Sequence, residues 1–270
     1  MKLSDFDVFD CFFSGGRDSA LTCYIAYKVS KVLNKNFRLI HIDTKIAISE
    51  TKEYVKRYAD WLNAELKIVQ TQYDYFEFVK KYGYPSVIKN RWCWRFLKQE
   101  PLYQFKIEEI KEKINPLWIL GIRRNESLFR LENYGKITNT LKRGMIKNLH
   151  VVEWLPILYL SGEEVDRLIN KFKIPINPVW KKIGISGECL CLAGTTKKKL
   201  EALFINYPDI AQKFYEFDKS LIPKREGNLI PLGLLNDKKR LHKFIEEIQN
   251  KKNQPTIDEY FACQGACFNL

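Results

Sequence analysis

Close to residue 10 the chain reads Val8-Phe9-Asp10-Cys11-Phe12-Phe13-Ser14-Gly15-Gly16-Arg17-Asp18-Ser19. The first six of these residues form a short, mainly apolar run of the kind that makes a buried β-strand. Two glycines follow, and then apolar side chains recur at helical spacing, at Leu21, Tyr24, Ile25 and Val29. The segment therefore predicts a strand, a glycine turn and a helix.

Strands and helices continue to alternate along the chain. Apolar runs predict further strands at 37–42, 66–69, 117–120 and 151–154, and a helix with an apolar stripe at 50–63. This alternation is typical of a doubly wound parallel sheet with helices on both faces, which binds ligands at the carboxyl ends of its strands. We therefore predict an α/β fold.

The pattern changes beyond about residue 184. Before it, Ser161-Gly162-Glu163-Glu164 forms a capping box that opens a helix. After it, strand patterns fade, and the segment 197–219 looks helical with a break at Pro208. We predict an α/β domain at residues 1–185 and a smaller, mostly helical, cysteine-containing region at 186–270.

Composition sets limits on the class of protein. No run approaches the roughly 18 apolar residues that span a bilayer, and no secretion signal is recognised, so we expect a cytoplasmic protein without a membrane partner. The formal net charge is +13. Such a charge suits a polyanionic partner such as tRNA or DNA, and it equally suits small phosphorylated or sulfated substrates.

The glycine turn has the composition of an anion-binding loop. Gly15-Gly16 permits backbone angles that let consecutive amides point at one anion, at the positive end of the following helix. Ser14 and Ser19 add hydroxyl donors, Arg17 adds a charge, and Asp18 can orient the loop or lie beside a metal ion. The loop lacks the Gly-Lys-Ser/Thr ending of a Walker A sequence, so a γ-phosphate-cleaving ATPase is not indicated.

Ser14 to Ser19 resembles the PP-loop of the adenine nucleotide α-hydrolase superfamily, and further blocks resemble its phosphoadenosine phosphosulfate (PAPS) reductase family. In family order these blocks are His41-Ile42-Asp43-Thr44, Glu50-Thr51, Tyr82-Gly83-Tyr84-Pro85, Arg91-Trp92-Cys93, Leu97-Lys98, Gly121-Ile122-Arg123-Arg124 and Ile174-Pro175 with Asn177-Pro178. The resemblance covers roughly residues 8 to 215. It implies a PP-loop domain that binds ATP or a sulfated adenine nucleotide, with Mg²⁺ on the phosphates.

The resemblance also implies which residues surround the nucleotide. They are Ser14, Gly15, Gly16, Arg17, Asp18, Ser19, Asp43, Thr44, Gly121, Arg123 and Arg124. Asp43 can accept hydrogen bonds from ribose or adenine, or it can simply cap a helix. Guanidinium forks suit phosphate or sulfate, although Arg123 and Arg124 can also be an ordinary surface pair. Lys45 stands where the family usually has glycine.

Seven cysteines fall into two groups. Cys11 and Cys23 lie in the predicted first strand and helix and are most simply core residues. The other five are Cys93, Cys189, Cys191, Cys263 and Cys267. In a cytosolic chain, thiolates gathered in this way favour an iron–sulfur cluster or zinc over disulfides.

The family resemblance favours a [4Fe-4S] cluster held by Cys93, Cys189, Cys191 and one of Cys263 and Cys267, with zinc as the alternative. The fifth cysteine is then a nucleophile, a sulfur carrier or a residue without a role. This chain has Cys93-Trp94 where iron–sulfur adenylylsulfate reductases usually have adjacent cysteines, and it lacks their Glu-Cys-Gly-Leu-His type of tail motif.

Three functions remain open. The leading hypothesis is an ATP pyrophosphatase-type sulfurtransferase, which adenylates an acceptor such as tRNA or DNA and then transfers sulfur to it. The second is a reductase that releases sulfite from adenylyl sulfate or PAPS, and the third is a non-catalytic nucleotide- or nucleic-acid-binding iron–sulfur protein. For the enzymes we expect Asp18, Lys98, Arg123 and Cys267 to be catalytic. Expected partners are a cysteine desulfurase or a thioredoxin-like reductant, and a homodimer is compatible with the sequence.

Overall fold

The structure is a computed structural model that describes residues 1–86, 91–221 and 240–252. Its centre is a six-stranded sheet with the order β3-β2-β1-β4-β6-β5. The strands are β1 Val8–Phe12, β2 Asn36–Asp43, β3 Glu65–Gln70, β4 Pro116–Ile119, β5 Leu141–Ile146 and β6 Leu149–Trp154. All neighbouring pairs are parallel except β5 and β6, which form an antiparallel hairpin at one edge.

Helices α1 to α5 lie in the connections between β1, β2, β3 and β4, α6 lies between β4 and β5, and the other described helices follow β6. The described helices are α1 Arg17–Val32, α2 Ser49–Leu62, α3 Tyr75–Tyr82, α4 Trp92–Trp94, α5 Glu100–Lys111, α6 Leu128–Tyr134, α7 Gly162–Lys171, α8 Pro178–Ile183, α9 Lys197–Asn206, α10 Pro208–Ser220 and α11 Leu241–Lys252. A π-helical turn, Arg95–Gln99, joins α4 directly to α5. None of the described helices is long and apolar enough to cross a membrane.

The predicted α/β fold is confirmed. The five predicted strands correspond to β1, β2, β3, β4 and β6, and the capping box forms, because the Ser161 hydroxyl accepts from the Glu164 amide at 3.1 Å. Strand β5 was not predicted. Its sequence contains Gly144 and two charged residues, Lys142 and Arg143, so it lacks the apolar pattern of a buried strand. It forms because pairing with β6 satisfies its backbone.

Apolar side chains cover both faces of the sheet. One face packs its core against α1, α2 and α7, with Phe9, Cys11, Leu39 and Leu117 contributed by the strands. The other face packs Ile40 and Trp118 against α5. Cys11 and Cys23 are fully buried in the first of these cores, as predicted.

The chain divides into two compact units, one made of residues 1–78 and 90–191 and the other of 79–89 and 192–270. The first unit holds the whole sheet. The described part of the second unit comprises the end of α3 and helices α9 to α11, where the buried Asp218 accepts hydrogen bonds from the Tyr84 hydroxyl and the His242 amide, both at 3.0 Å. Residues 186–191 group with the sheet. The predicted domain boundary at 185/186 stays a prediction.

A buried charge network lies on the α5 face of the sheet. Arg38 makes two hydrogen bonds to the Asp10 carboxylate, at 2.7 and 2.8 Å, and a third to Glu109 at 3.3 Å. Glu109 is 1% exposed and also accepts from the Trp118 indole at 3.1 Å. Burial, with the neighbouring Asp10 carboxyl as a second cause, raises the pKa of Glu109 to about 8.

This raised pKa predicts a specific pH dependence of stability. Because folded Glu109 holds its proton to a higher pH than the unfolded chain does, its contribution to the free energy of unfolding falls as pH rises from about 4.5 to about 8. We expect Glu109→Gln to remove this fall, measured as urea unfolding of both proteins across that range. Glu108→Gln is the control, since Glu108 is exposed on the same helix. An unchanged pH slope in Glu109→Gln would contradict the assignment.

Candidate functional site

The glycine turn leaves the carboxyl end of β1 and enters α1. Gly15 has a φ of +72°, which favours glycine, and a Cβ there would lie 3.1 Å from the Thr51 methyl group. The Gly16 amide faces the hydroxyls of Ser14 and Ser19, at 3.3 and 3.1 Å. The loop is thus a rigid turn that presents two serine hydroxyls at the amino end of a helix.

The end of β4 presses against this loop. A Cβ on Gly121 would lie 3.0 Å from the Ser19 Cα and 3.1 Å from its backbone nitrogen. Only a residue without a side chain allows this approach, so Gly121 is needed at the strand end for packing. The structure therefore brings the predicted Gly121 next to the predicted loop.

Asp18 links two arginines of the site. Its carboxylate accepts from Arg17 Nε at 3.0 Å and from Arg123 Nε at 2.7 Å. Arg17 also donates to Asp166 at 3.0 Å, and its guanidinium lies over the Trp180 ring. Asp18 therefore holds two positive charges at the start of α1. Its predicted catalytic role, like that of Arg123, stays a prediction.

Arg124 lies apart from this group. Its guanidinium lies 4.8 Å from the centre of the Tyr159 ring, and its amide donates to the Leu158 carbonyl at 2.9 Å. The two adjacent arginines thus have different surroundings. Arg124 remains a predicted anion contact.

Asp43 ends β2 and is held by its own neighbours. It accepts from Lys52 Nζ at 2.8 Å, from the Lys45 amide at 2.9 Å and from Gln70 at 3.0 Å. Burial alone would raise the pKa of Asp43, but these hydrogen bonds and the charge of Lys52 outweigh it and hold the pKa below its usual value. Lys45 has a φ of +64°, a left-handed conformation that favours glycine.

A cavity of about 420 Å³ opens at the carboxyl ends of β1, β2 and β4. Its lining includes the loop residues Ser14, Ser19 and Gly121, the apolar residues Phe12, Ile40, Ile42 and Trp118, the ion-pairing residues Lys98 and Glu188, and Trp94, Arg130 and Tyr134. Its volume suits a nucleotide-sized ligand. Its lining combines hydroxyls, cations and apolar rings, which are the groups that the phosphates and the base of a nucleotide need.

Three cysteines approach one another beside this cavity. Cys93 lies in α4, whereas Cys189 and Cys191 lie on a segment that pairs with the residues after β2: Ile48 donates to the Gly187 carbonyl at 2.8 Å and Leu190 to the Ile46 carbonyl at 3.1 Å. A hydrogen bond from Cys191 lowers the pKa of Cys93. Its hydrogen bond with Cys191, together with burial, raises the pKa of Cys189.

Lys98 connects the cavity to the thiols. Its ammonium lies 2.9 Å from Glu188, and both side chains line the cavity. Burial would lower the pKa of Lys98, but Glu188 and the thiols of Cys189 and Cys191 raise it well above its ordinary value. Lys98 therefore stays charged, and its charge offsets part of the rise in the pKa of Cys189. It projects from the π-helical turn, a feature that recurs at functional sites.

The described residues do not form a metal site. In residues 1–86, 91–221 and 240–252, no group of three or more Cys, His, Asp or Glu side chains is placed so that it could hold a metal ion. Cys263 and Cys267, predicted as ligands with Cys267 also predicted as catalytic, lie outside the described residues.

No role was predicted for Asn177 from the sequence, but its side chain contacts several separate parts of the site. Its buried amide donates to the carbonyls of Gly15 at 3.0 Å and Ser186 at 2.9 Å, and lies 3.3 Å from the Thr51 hydroxyl. Its carbonyl accepts from the Val179 amide and caps α8. An asparagine before proline at a helix start is a capping pattern, which could have identified the helix but not these longer contacts.

This arrangement is that of a PP-loop nucleotide site, and the comparisons agree. The profile of the phosphoadenosine phosphosulfate reductase domain matches residues 11–215, and the chain belongs to this family. The family is named for an enzyme that reduces a sulfated adenine nucleotide.

Known proteins resemble the chain at different levels. An uncharacterised protein of Methanocaldococcus jannaschii is 29% identical over 218 residues, which are 77% of this chain and 49% of that protein, so the chain spans about half of that relative's length. The U34-tRNA thiolase NcsA of Methanococcus maripaludis, solved with its [4Fe-4S] cluster, has a TM-score of 0.50 at 14% identity. The matched region covers 91% of this chain and 73% of the NcsA chain. The PAPS reductase of Candida auris has a TM-score of 0.44 at 16% identity, and the matched region covers 65% of this chain and 77% of the reductase chain.

The two loop glycines make a matched pair of variants. We expect Gly15→Ala to lower the free energy of unfolding by about 1–3 kcal/mol, because a side chain is strained at this positive φ and would press on Thr51. Gly16→Ala should cost about 0.5 kcal/mol or less, since Gly16 has a φ of −85° and a Cβ there meets the movable Ser14 hydroxyl at 3.3 Å. Urea unfolding measures both, and equal losses would contradict the described loop.

Proposed function

We propose that this protein is an ATP pyrophosphatase-type sulfurtransferase. It binds ATP in the cavity beside the PP-loop, adenylates an acceptor, and delivers sulfur to that acceptor from the side of Cys93, Cys189 and Cys191. One observation carries the proposal: Lys98 and Glu188 line the nucleotide cavity, and the Lys98 ammonium also interacts with the thiols.

In this proposal, the adenine and the phosphates of the nucleotide contact different walls of the cavity. The adenine lies against apolar rings such as Trp118, and the phosphates lie towards the hydroxyls of Ser14 and Ser19 at the amino end of α1. Arg17 and Arg123, held by Asp18, add positive charge at the same end. Mg²⁺ bound with ATP would neutralise further phosphate charge.

The reaction has two displacements. An acceptor oxygen attacks the α-phosphorus of ATP, the bond to the β-phosphate oxygen breaks, and pyrophosphate leaves. The acceptor carbon then carries an adenylate, and a nucleophilic sulfur displaces it, so that the carbon–oxygen bond breaks and AMP leaves. The residues of this chain orient the nucleotide, and Lys98 stabilises negative charge on the sulfur side.

As placed in the structure, the three thiols do not yet form a metal-binding group with one another. We expect Cys93, Cys189 and Cys191 to supply three ligands of an iron–sulfur site, with Cys263 or Cys267 as the candidate for the fourth. When bound, a [4Fe-4S] cluster would supply iron that can hold exogenous sulfur. Zinc is the alternative metal for the same donors.

The comparisons support this proposal at the level of the family. The PAPS reductase family handles adenine nucleotides and sulfur together, and the tRNA thiolase NcsA, which shares the fold, is named for sulfur transfer to tRNA and carries a [4Fe-4S] cluster. The net charge of +13 suits a nucleic acid as acceptor. A cysteine desulfurase is the expected sulfur donor, and the proposed compartment is the cytoplasm.

Product analysis tests the reaction. With ATP, a sulfide source and the acceptor, we expect AMP and pyrophosphate in equal amounts, measured by chromatography. Lys98→Met should reduce turnover at least about tenfold while ATP still binds, because it removes a charge that favours the sulfur nucleophile. Lys56→Met is the control, since Lys56 is an exposed lysine on α2 that does not line the cavity. ADP and phosphate as products, or sulfite released from adenylyl sulfate or PAPS with a thiol reductant, would contradict the proposal, and sulfite would establish the reductase instead.

Metal analysis tests the thiol site. After anaerobic purification we expect about four irons and four sulfides per chain. Cys93→Ala, Cys189→Ala and Cys191→Ala should each lose most of this iron, and one of Cys263→Ala and Cys267→Ala should do the same. Cys23→Ala is the control, because Cys23 lies in the core and should leave the iron unchanged. Zinc found in a stoichiometric amount in place of iron would mean that the thiols bind zinc and not a cluster. Iron retained in all five variants would contradict the ligand assignment.

A further inference from the structure

The turn that carries Cys93 also presents an aromatic ring to solvent. In the sequence Arg91-Trp92-Cys93-Trp94-Arg95, the side chains of Trp92 and Cys93 are buried, whereas Arg91, Trp94 and Arg95 are exposed on the opposite face. Trp94 is 42% exposed although its ring also lines the nucleotide cavity. The Arg91 guanidinium lies 6.0 Å from the centre of this ring. A large aromatic ring at a cavity wall thus stays accessible from outside, with positive charge beside it.

A second aromatic residue of the same kind lines this cavity. Tyr134, at the end of α6, has the Arg130 guanidinium and the Lys142 ammonium each 5.7 Å from the centre of its ring. Arg130 and Tyr134 both line the cavity. We call Trp94, Tyr134, Arg91, Arg130 and Lys142 the rim cluster. It combines rings on which flat groups stack with cations that suit phosphates, and of these cations Arg130 lies 3.7 Å from the Glu126 carboxylate and Lys142 pairs with Glu153.

We infer that the rim cluster binds a single-stranded segment of nucleic acid and that Trp94 stacks against the base that accepts sulfur. Aromatic rings interleaved with arginines are the recurring features of proteins that bind unpaired bases, where rings hold the bases and cations follow the backbone. The location adds the second argument. A base stacked on Trp94 would lie in the same cavity as the proposed nucleotide. Trp94 directly follows Cys93 in the chain, so this base would also be close to the thiols.

This inference rests on the proposed function and limits the class of nucleic acid that can be its acceptor. A base inside a duplex keeps its ring stacked on its neighbours, so it cannot lie on Trp94 without leaving the helix. The acceptor is therefore a loop, an end or another unpaired region. Since the ring faces are shared by all bases, the rim cluster favours unpaired bases without selecting one sequence.

Binding of a labelled single-stranded RNA of about 12 nucleotides tests the inference, measured by fluorescence anisotropy with the full chain. We expect Trp94→Ala to weaken binding at least about fivefold and Trp94→Phe to retain it within about threefold, because alanine removes the ring on which a base stacks and phenylalanine keeps one. Inorganic polyphosphate, which has charge but no bases, should bind wild type and Trp94→Ala equally. Tyr134→Leu, on the second ring, should also weaken RNA binding.

ATP binding and thermal unfolding of the same proteins separate the outcomes. Unchanged ATP affinity and melting temperature, with weaker RNA binding, support Trp94 as a base platform. Weaker ATP binding with unchanged RNA binding would overturn the inference and assign Trp94 to the adenine of ATP. RNA binding that is equal in wild type and Trp94→Ala would overturn it as well. If AMP and pyrophosphate form with an acceptor that has no bases, the inference fails while the proposed function stands.

Discussion

The site depends on one buried side-chain amide. Asn177, which is 1% exposed, donates to the backbone of the PP-loop at Gly15. It also donates to the Ser186 carbonyl, at the start of residues 186–191, which we call the cysteine segment because they contain Cys189 and Cys191. Thr51 donates to the same Ser186 carbonyl at 2.7 Å, so α2 joins the contact. Without the amide, the Ser186 carbonyl would keep Thr51 as a donor, whereas the buried Gly15 carbonyl would lose its Asn177 donor at a cost of about 1–3 kcal/mol. The amide therefore holds the loop and the cysteine segment in one fixed relation.

That relation explains how distant parts of the sequence act together. The loop lies at the carboxyl end of β1, and the segment 186–191 is held beside the end of β2 by hydrogen bonds from Thr44, Ile48 and Leu190. These contacts bring Cys189 and Cys191 towards Cys93 on α4. The Lys98–Glu188 ion pair then stands between the thiols and the nucleotide cavity. In the proposed function, nucleotide activation takes place in the cavity and sulfur chemistry beside it, on the other side of this ion pair.

Local features of the site could be predicted from the sequence, and long-range ones could not. The strand, the glycine turn and α1 follow from neighbouring residues, and so do the capped α7 and the break at Pro208. The pairing of Asp18 with Arg123 joins residues 105 positions apart, and the role of Asn177 joins residues 162 apart. Such contacts are set by strand order, which no local pattern contains. Strand β5 is stabilised by its partner rather than by its composition, and it was missed for the same reason.

A crystal structure of the anaerobically purified protein with a non-hydrolysable ATP analogue shows whether ATP binds in the cavity that lies beside the thiols. We expect adenine against the apolar wall near Trp118, phosphates at Ser14 and Ser19, and the α-phosphorus facing Lys98 and the cysteines. An analogue bound with its γ-phosphate towards the cysteines and its α-phosphate turned to solvent, or bound outside this cavity, would contradict it.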